Sequence, residues 1–209
     1  MVVVVGDPMQ GVLLAWGVAI LMIISPGPAL LAIMGTAMGA GRRPGVALGL
    51  GVSCGSLVWG LLAALGLSTL LVSSTDALQV VRVLGALYLL FLSYKAFRSA
   101  AMGRDLRIGT VSVCGARNYF LRGLGIHLTN PKAILAWTSM IAIGVEPGTP
   151  TWAAAAIVAG TIAFAGIFYT FAAIAFSVPA VVRLYVRGQR AADTGLGIFF
   201  LFAAWTIAT

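Results

Sequence analysis

Acidic side chains are nearly missing from this chain. Five Asp and Glu occur among 209 residues, and charged residues of both signs reach only 9% against 61% hydrophobic; soluble domains carry about 25% charge. This scarcity excludes a soluble domain and marks an integral membrane protein. Metal chemistry has little to work with, because one histidine, His127, and two separated cysteines do not make a site. Cys54 falls in an apolar run and Cys114 in a basic loop, so the two are not expected to pair. No His-Glu helix motif, serine triad or phosphate loop is present, and no cofactor is implied. The N-terminus has no basic residue before its Val2 to Val5 run, which is too short for a secretory leader, so no cleaved signal is expected.

Positive charge, by contrast, is in excess, with 13 Lys and Arg. Such a balance can point to nucleic acid, and the placement of the charges decides. They lie in short loops between apolar spans, with no soluble domain to carry a nucleic-acid surface. The partner implied is the lipid bilayer, which attracts basic residues near an anionic surface by about 1 kcal/mol each.

Apolar spans run over about 11–40, 45–72, 78–93, 120–144, 151–178 and 194–209. They predict an all-α membrane protein with six transmembrane helices in a single domain, 1–209. The third and sixth spans are the shortest, and a five-span reading stays open. Charge sets the orientation, since cytoplasmic loops hold the Lys and Arg excess. The first loop carries Arg42 and Arg43, and the fifth carries Arg183, Arg187 and Arg190 against Asp193. The third holds Lys95, Arg98, Arg104, Arg107, Arg117 and Arg122 against Asp105, whereas the second and fourth hold only Asp76 and Glu146. Loops one, three and five are therefore predicted cytoplasmic and both termini outside. Lys132 and Arg82 stand apart from this alternation.

Three spans per half is an odd number, so repeated halves would be inverted. The first half would cover about 11–95, a cytoplasmic connecting loop about 96–119, and the second half about 120–209. Leu84-Gly85-Ala86-Leu87-Tyr88-Leu89-Leu90-Phe91 resembles Leu196-Gly197-Ile198-Phe199-Phe200-Leu201-Phe202, at comparable distances after two proline breaks. Those breaks interrupt spans one and four: Ser25-Pro26-Gly27-Pro28 and Thr129-Asn130-Pro131-Lys132. Each proline removes a backbone donor, and the freed carbonyls are tolerable in hydrocarbon only where they face protein or a wet cavity. Paired interruptions at matching places in two halves point to a binding site between repeats. Gly35 and Gly39, Gly41, Gly45 and Gly49, and Gly51 and Gly55 recur at four-residue spacing, which suits close helix packing and permits a homodimer.

Ionisable groups within spans are few. An ammonium at the bilayer centre costs about 2.5–3.5 kcal/mol on insertion scales, so Lys132 requires a partner or a wet cavity. No span contains a carboxylate. The partner is then an anionic group of a bound substrate, or the carbonyls freed at Pro26 to Pro28, where a lysine would cap the negative end of a half-helix. A half-helix starting after Pro28 offers amide N–H groups to a carboxylate. The candidate substrate site is thus Ser25, Pro26, Gly27, Pro28, Thr129, Asn130, Pro131 and Lys132. His127 reads first as a structural histidine hydrogen-bonded to a neighbouring helix, and is also the candidate for carrying a coupling proton.

Taken in order, Ser25-Pro26-Gly27-Pro28, Gly41-Arg42-Arg43-Pro44-Gly45, Leu84-Gly85-Ala86-Leu87-Tyr88-Leu89 and Asn130-Pro131-Lys132-Ala133 resemble the LysE/RhtB family of amino-acid exporters. The likeness covers nearly the whole chain. It implies a bacterial inner-membrane secondary transporter, not an enzyme, that extrudes an amino-acid substrate on the proton gradient, with both breaks central to it. Family substrates include lysine and arginine in one branch and neutral amino acids in others. A cationic side chain in a low-dielectric site wants a carboxylate, so a small neutral or zwitterionic amino acid fits this chain better. A basic amino-acid exporter, a membrane enzyme or pore using Lys132 and His127, and a scaffold whose breaks only shape packing remain the alternatives.

Overall fold

The prolines decide where helices start. The computed structural model describes residues 7–71, 87, 90–91, 93–102, 115–145 and 148–208, and every element described is a helix. In order these are α1 (Pro8–Ile24), α2 (Pro28–Ala40), α3 (Arg42–Leu71), α4 (93–102), α5 (Ala116–Leu128), α6 (Pro131–Gly144), α7 (Thr151–Ala175) and α8 (Pro179–Ala208). Four of them, α1, α2, α6 and α8, open on a proline, whose missing N–H would have no intrahelical partner at that position. Asp7 caps α1 by accepting the Met9 N–H at 3.0 Å. Gly41 ends α2 at φ 95°, a left-handed conformation that a side chain would strain, and the chain turns directly into α3.

Both expected breaks are present. Ser25 and Gly27 are extended between α1 and α2, which are bent by 45° from each other. Thr129 and Asn130 separate α5 from α6. Among the described residues, stretches of α3 and α7 are long and apolar enough to cross a membrane, and α1 with α2 makes a third candidate when taken as one bent span. Large apolar side chains stand exposed on several helices, among them Leu14 of α1, Leu62 and Leu65 of α3, Ile167 and Phe171 of α7 and Phe202 of α8. In a chain this poor in charge, they are a lipid-facing surface.

Two boundaries differ from the sequence expectation. The fifth basic segment is no loop: α8 begins at Pro179, so Arg183, Arg187 and Arg190 lie on a helix that continues into the last apolar stretch. Their spacing of four and three is a helical repeat, and Pro179 supplies the start. The connecting segment 96–119 is likewise helical at both ends, over 96–102 and 116–119. The third span, 78–93, falls mostly outside the described residues.

α3 lies at the centre and packs against α2, α5, α6 and α7. Small residues allow it. A Cβ added at Gly51 would come within 2.0 Å of the Phe120 carbonyl oxygen, and one at Gly123 within 2.1 Å of the Leu48 carbonyl oxygen, so α3 and α5 touch backbone to backbone. On the other side, the Trp16 indole of α1 lies over Gly160 and donates to the Ala156 carbonyl at 3.2 Å, fixing α1 to α7. α1 and α6 meet where a Cβ at Gly11 would come within 3.0 Å of the Gly144 carbonyl oxygen. The buried set joining these helices includes Ala15, Ile33, Leu48, Val52, Trp137, Ile141 and Ile157.

Gly51→Ala and Gly123→Ala are expected to lower the thermal-unfolding midpoint of the purified protein by several degrees, for a loss of about 1–3 kcal/mol from overpacking. Gly125→Ala, on the same helix as Gly123 but with nothing within 4 Å of the added Cβ, leaves the midpoint in place. Equal midpoints for all three would show that the α3 and α5 backbones do not touch.

Candidate substrate cavity

The break in α1 leaves polar backbone in an apolar interior, and the chain answers it from the second break. The Lys132 ammonium of α6 donates to the Ser25 carbonyl oxygen at 2.9 Å and also to the Ser25 hydroxyl. Ser25 in turn donates its hydroxyl to the Met22 carbonyl at 3.2 Å. Lys132 and Ser25 are 6% and 2% exposed. A cation at the C-terminal end of α1 also meets the negative end of that helix. The lysine chain passes close to Gly27, where an added Cβ would come within 3.2 Å of the Lys132 Cδ and press it aside by a few tenths of an ångström.

Lys132 is held by its own helix start. Asn130 is the N-cap of α6, its side-chain oxygen accepting the Lys132 N–H at 3.1 Å, so one residue both begins the helix and orients the lysine. α2, by contrast, starts with Gly27 as N-cap and no side-chain hydrogen bond, so Ala29 and Leu30 open the helix with N–H groups that its own ladder cannot satisfy. These residues surround a cavity of about 490 Å³ with its mouth included. Its walls come from α1 (Ile23), the break after it (Ser25), α2 (Ala29 and Leu30), α3 (Ser56), α5 (His127), α6 (Lys132 and Trp137) and α7 (Thr161 and Tyr169). No carboxylate is among its lining residues.

Of the residues expected at the site, Ser25, Gly27, Asn130 and Lys132 line the cavity together with His127. Pro26, Pro28 and Pro131 shape the breaks without lining it. Thr129 is exposed and turned away, its hydroxyl donating to the Gly125 carbonyl of its own helix at 2.9 Å. His127 is buried against Gly55 of α3, and neither ring nitrogen has a hydrogen-bond partner among the described residues. The reading preferred from the sequence, a histidine hydrogen-bonded to a neighbouring helix, finds no such bond among the described residues.

Three polar wall residues were not foreseen. Ser56 accepts the indole N–H of the fully buried Trp137 at 3.0 Å, with the ring packed over Gly60. Thr161 and Tyr169 stand two turns apart on the inward face of α7, with Ala165 between them. No local signal in the sequence sets them apart from Thr170, another polar residue of the same span.

The chain matches the model of the LysE type translocator family over residues 20–209. It belongs to that family, and is thus a membrane translocator and not an enzyme. It is similar to the uncharacterized membrane protein YahN of Escherichia coli (strain K12), at 32% identity over 91% of this chain and 86% of that protein. The threonine efflux protein of the same strain is 30% identical over 88% of this chain and 90% of its own. The leucine efflux protein of Salmonella choleraesuis (strain SC-B67) is 33% identical over 63% of this chain and 62% of its own length. No solved structure matches the chain.

Asn130→Ala should cost about 1 kcal/mol of stability, read as a lower thermal midpoint, because the α6 N-cap is lost, whereas Asn130→Ser retains a capping oxygen and most of that stability. Equal loss in both variants would show that Asn130 does not act as a cap.

Proposed function

We propose that this protein exports a small neutral or zwitterionic amino acid across the bacterial inner membrane, in exchange for protons. One observation carries the reading: a buried lysine ammonium stands beside the uncapped start of α2, in a cavity whose walls hold no carboxylate. A substrate carboxylate fits between the Lys132 ammonium and the Ala29 and Leu30 N–H groups, where helix dipole and cation act together. Ser25 and Asn130 complete that wall. A cationic substrate side chain would find no counter-charge there, and the threonine and leucine efflux proteins among the relatives support a neutral substrate. His127, buried in the same cavity, is the candidate to carry the coupling proton.

The order of elements supports two inverted halves of three spans. Each has a broken helix, then a long helix, then a further one: α1/α2, α3 and α4, and α5/α6, α7 and α8. The long helix of each half packs on the first half-helix of the other, α3 on α5 and α7 on α1. The last helices meet each other, with Ser93 donating to the Gly197 carbonyl at 2.8 Å. Alternate exposure of the cavity to the two sides then moves the substrate. Arginines at the starts of α3, α5 and α8 mark the cytoplasmic side and leave both termini outside.

Inverted vesicles containing the protein are expected to move one neutral amino acid of a labelled panel, with movement abolished by a proton uncoupler. Lys132→Gln, inserted at normal levels, should lower transport at least tenfold. Movement of lysine or arginine instead would overturn the electrostatic argument for a neutral substrate, and movement untouched by the uncoupler would remove the proton. Full transport by Lys132→Gln would remove the site assignment.

A further inference from the structure

Lys132 and the start of α2 account for one end of an amino acid. An α-amino acid also carries an ammonium, whose three N–H donors need acceptors once water is left behind. The cavity has no carboxylate to meet it. It does have two buried side chains that bind nothing among the described residues. Thr161 is 3% exposed and its hydroxyl oxygen has no hydrogen-bond partner among them; His127 is 6% exposed and has none among them at either ring nitrogen. Both line the cavity. Buried polar atoms in native proteins are overwhelmingly paired, so two orphans in one cavity mark a place for something that binds there. They come from α5 and α7, whereas the cationic wall is built by α6 and the break between α1 and α2.

We propose that the Thr161 hydroxyl oxygen and an imidazole nitrogen of His127 form the acceptor pole of the cavity and receive the ammonium group of the exported amino acid. The inference rests on the exporter reading above and adds the second half of its recognition. A hydroxyl has two lone pairs and a neutral imidazole one, so together they satisfy two of the three ammonium donors. Neutral acceptors suit this pole, since no buried carboxylate is left unpaired when the site is empty. The acceptor pole also makes the site read the amino acid at both ends: a carboxylic acid without an amine fills only the Lys132 side, and an amine without a carboxylate only the Thr161 side.

Fragments of one amino acid separate the poles. Purified full-length protein is loaded with labelled L-leucine or L-threonine, and bound label is displaced with 4-methylpentanoate, which is leucine without its amine, or with isopentylamine, which is leucine without its carboxylate. In the wild type both fragments compete weakly. Thr161→Val, nearly the same shape, should weaken competition by the amine roughly ten- to a hundredfold, the range expected for a lost hydrogen bond to a charged group, and leave competition by the acid unchanged. Thr161→Ser, which keeps the oxygen, restores the amine. Lys132→Gln should do the reverse, losing the acid and keeping the amine. His127→Phe should behave as Thr161→Val does. If Thr161→Val weakens both fragments equally or neither, or if Thr161→Ser fails to restore the amine, the acceptor pole is overturned while the exporter stands. If no neutral amino acid of the labelled panel binds the wild type, the exporter reading itself falls, and the acceptor pole with it.

Discussion

An interrupted helix in the middle of a membrane protein must find partners for its freed backbone without help from water, and the rest of this structure is arranged around that demand. Pro26 and Pro28 end one half-helix and begin another with no donor to offer at either position. The carbonyl left at Ser25 is met by Lys132, a buried cation that also donates to the Ser25 hydroxyl. Each of the two costs is offset by the other. The same pairing brings the two breaks together, so four half-helix ends converge on one small volume, with the dipoles of α1 and α2 aimed into it.

The convergence also explains why small residues are concentrated where they are. The cavity needs helices on several sides at short range, and lipid gives them no hydrophobic reason to associate. Gly51, Gly123, Gly144 and Gly160 let backbone or indole approach within contact distance, and that dispersion contact holds the walls. Trp137 fills the volume between α6 and α3, with its one polar atom given to Ser56. What remains unfilled is a cavity lined by one lysine ammonium and by neutral polar side chains.

Both breaks and the Lys132 problem were legible in the sequence because proline, glycine and an intramembrane charge act locally. Two mutually compatible partners for Lys132 were consistent with the residues, and the fold shows one of them, the backbone of Ser25. Thr129 looked equivalent to Asn130, its neighbour, yet one caps α6 into the cavity and the other folds back on α5; a single residue of rotation decides it. Thr161 and Tyr169 were illegible for a related reason. A lone polar residue in an apolar span has no local signature, and which face of α7 turns inward is fixed by α1 and α3. The start of α8 was misjudged because its arginines were counted as loop charge, although their spacing is helical.

The contact between Lys132 and Ser25 joins residues 107 apart in the chain, and this has a consequence for how the protein is made. At about 5–20 residues per second, translation takes roughly 5 to 20 s to cover that interval. Through those seconds the first half is already in or entering the bilayer, with the carbonyl at its break lacking the ammonium that will eventually satisfy it. The nascent α1 and α2 must therefore be sheltered by water, by the insertion machinery or by a different and temporary bend. The native geometry of the first break is set only when the second break arrives, so the last step in shaping the N-terminal half is the synthesis of the C-terminal one.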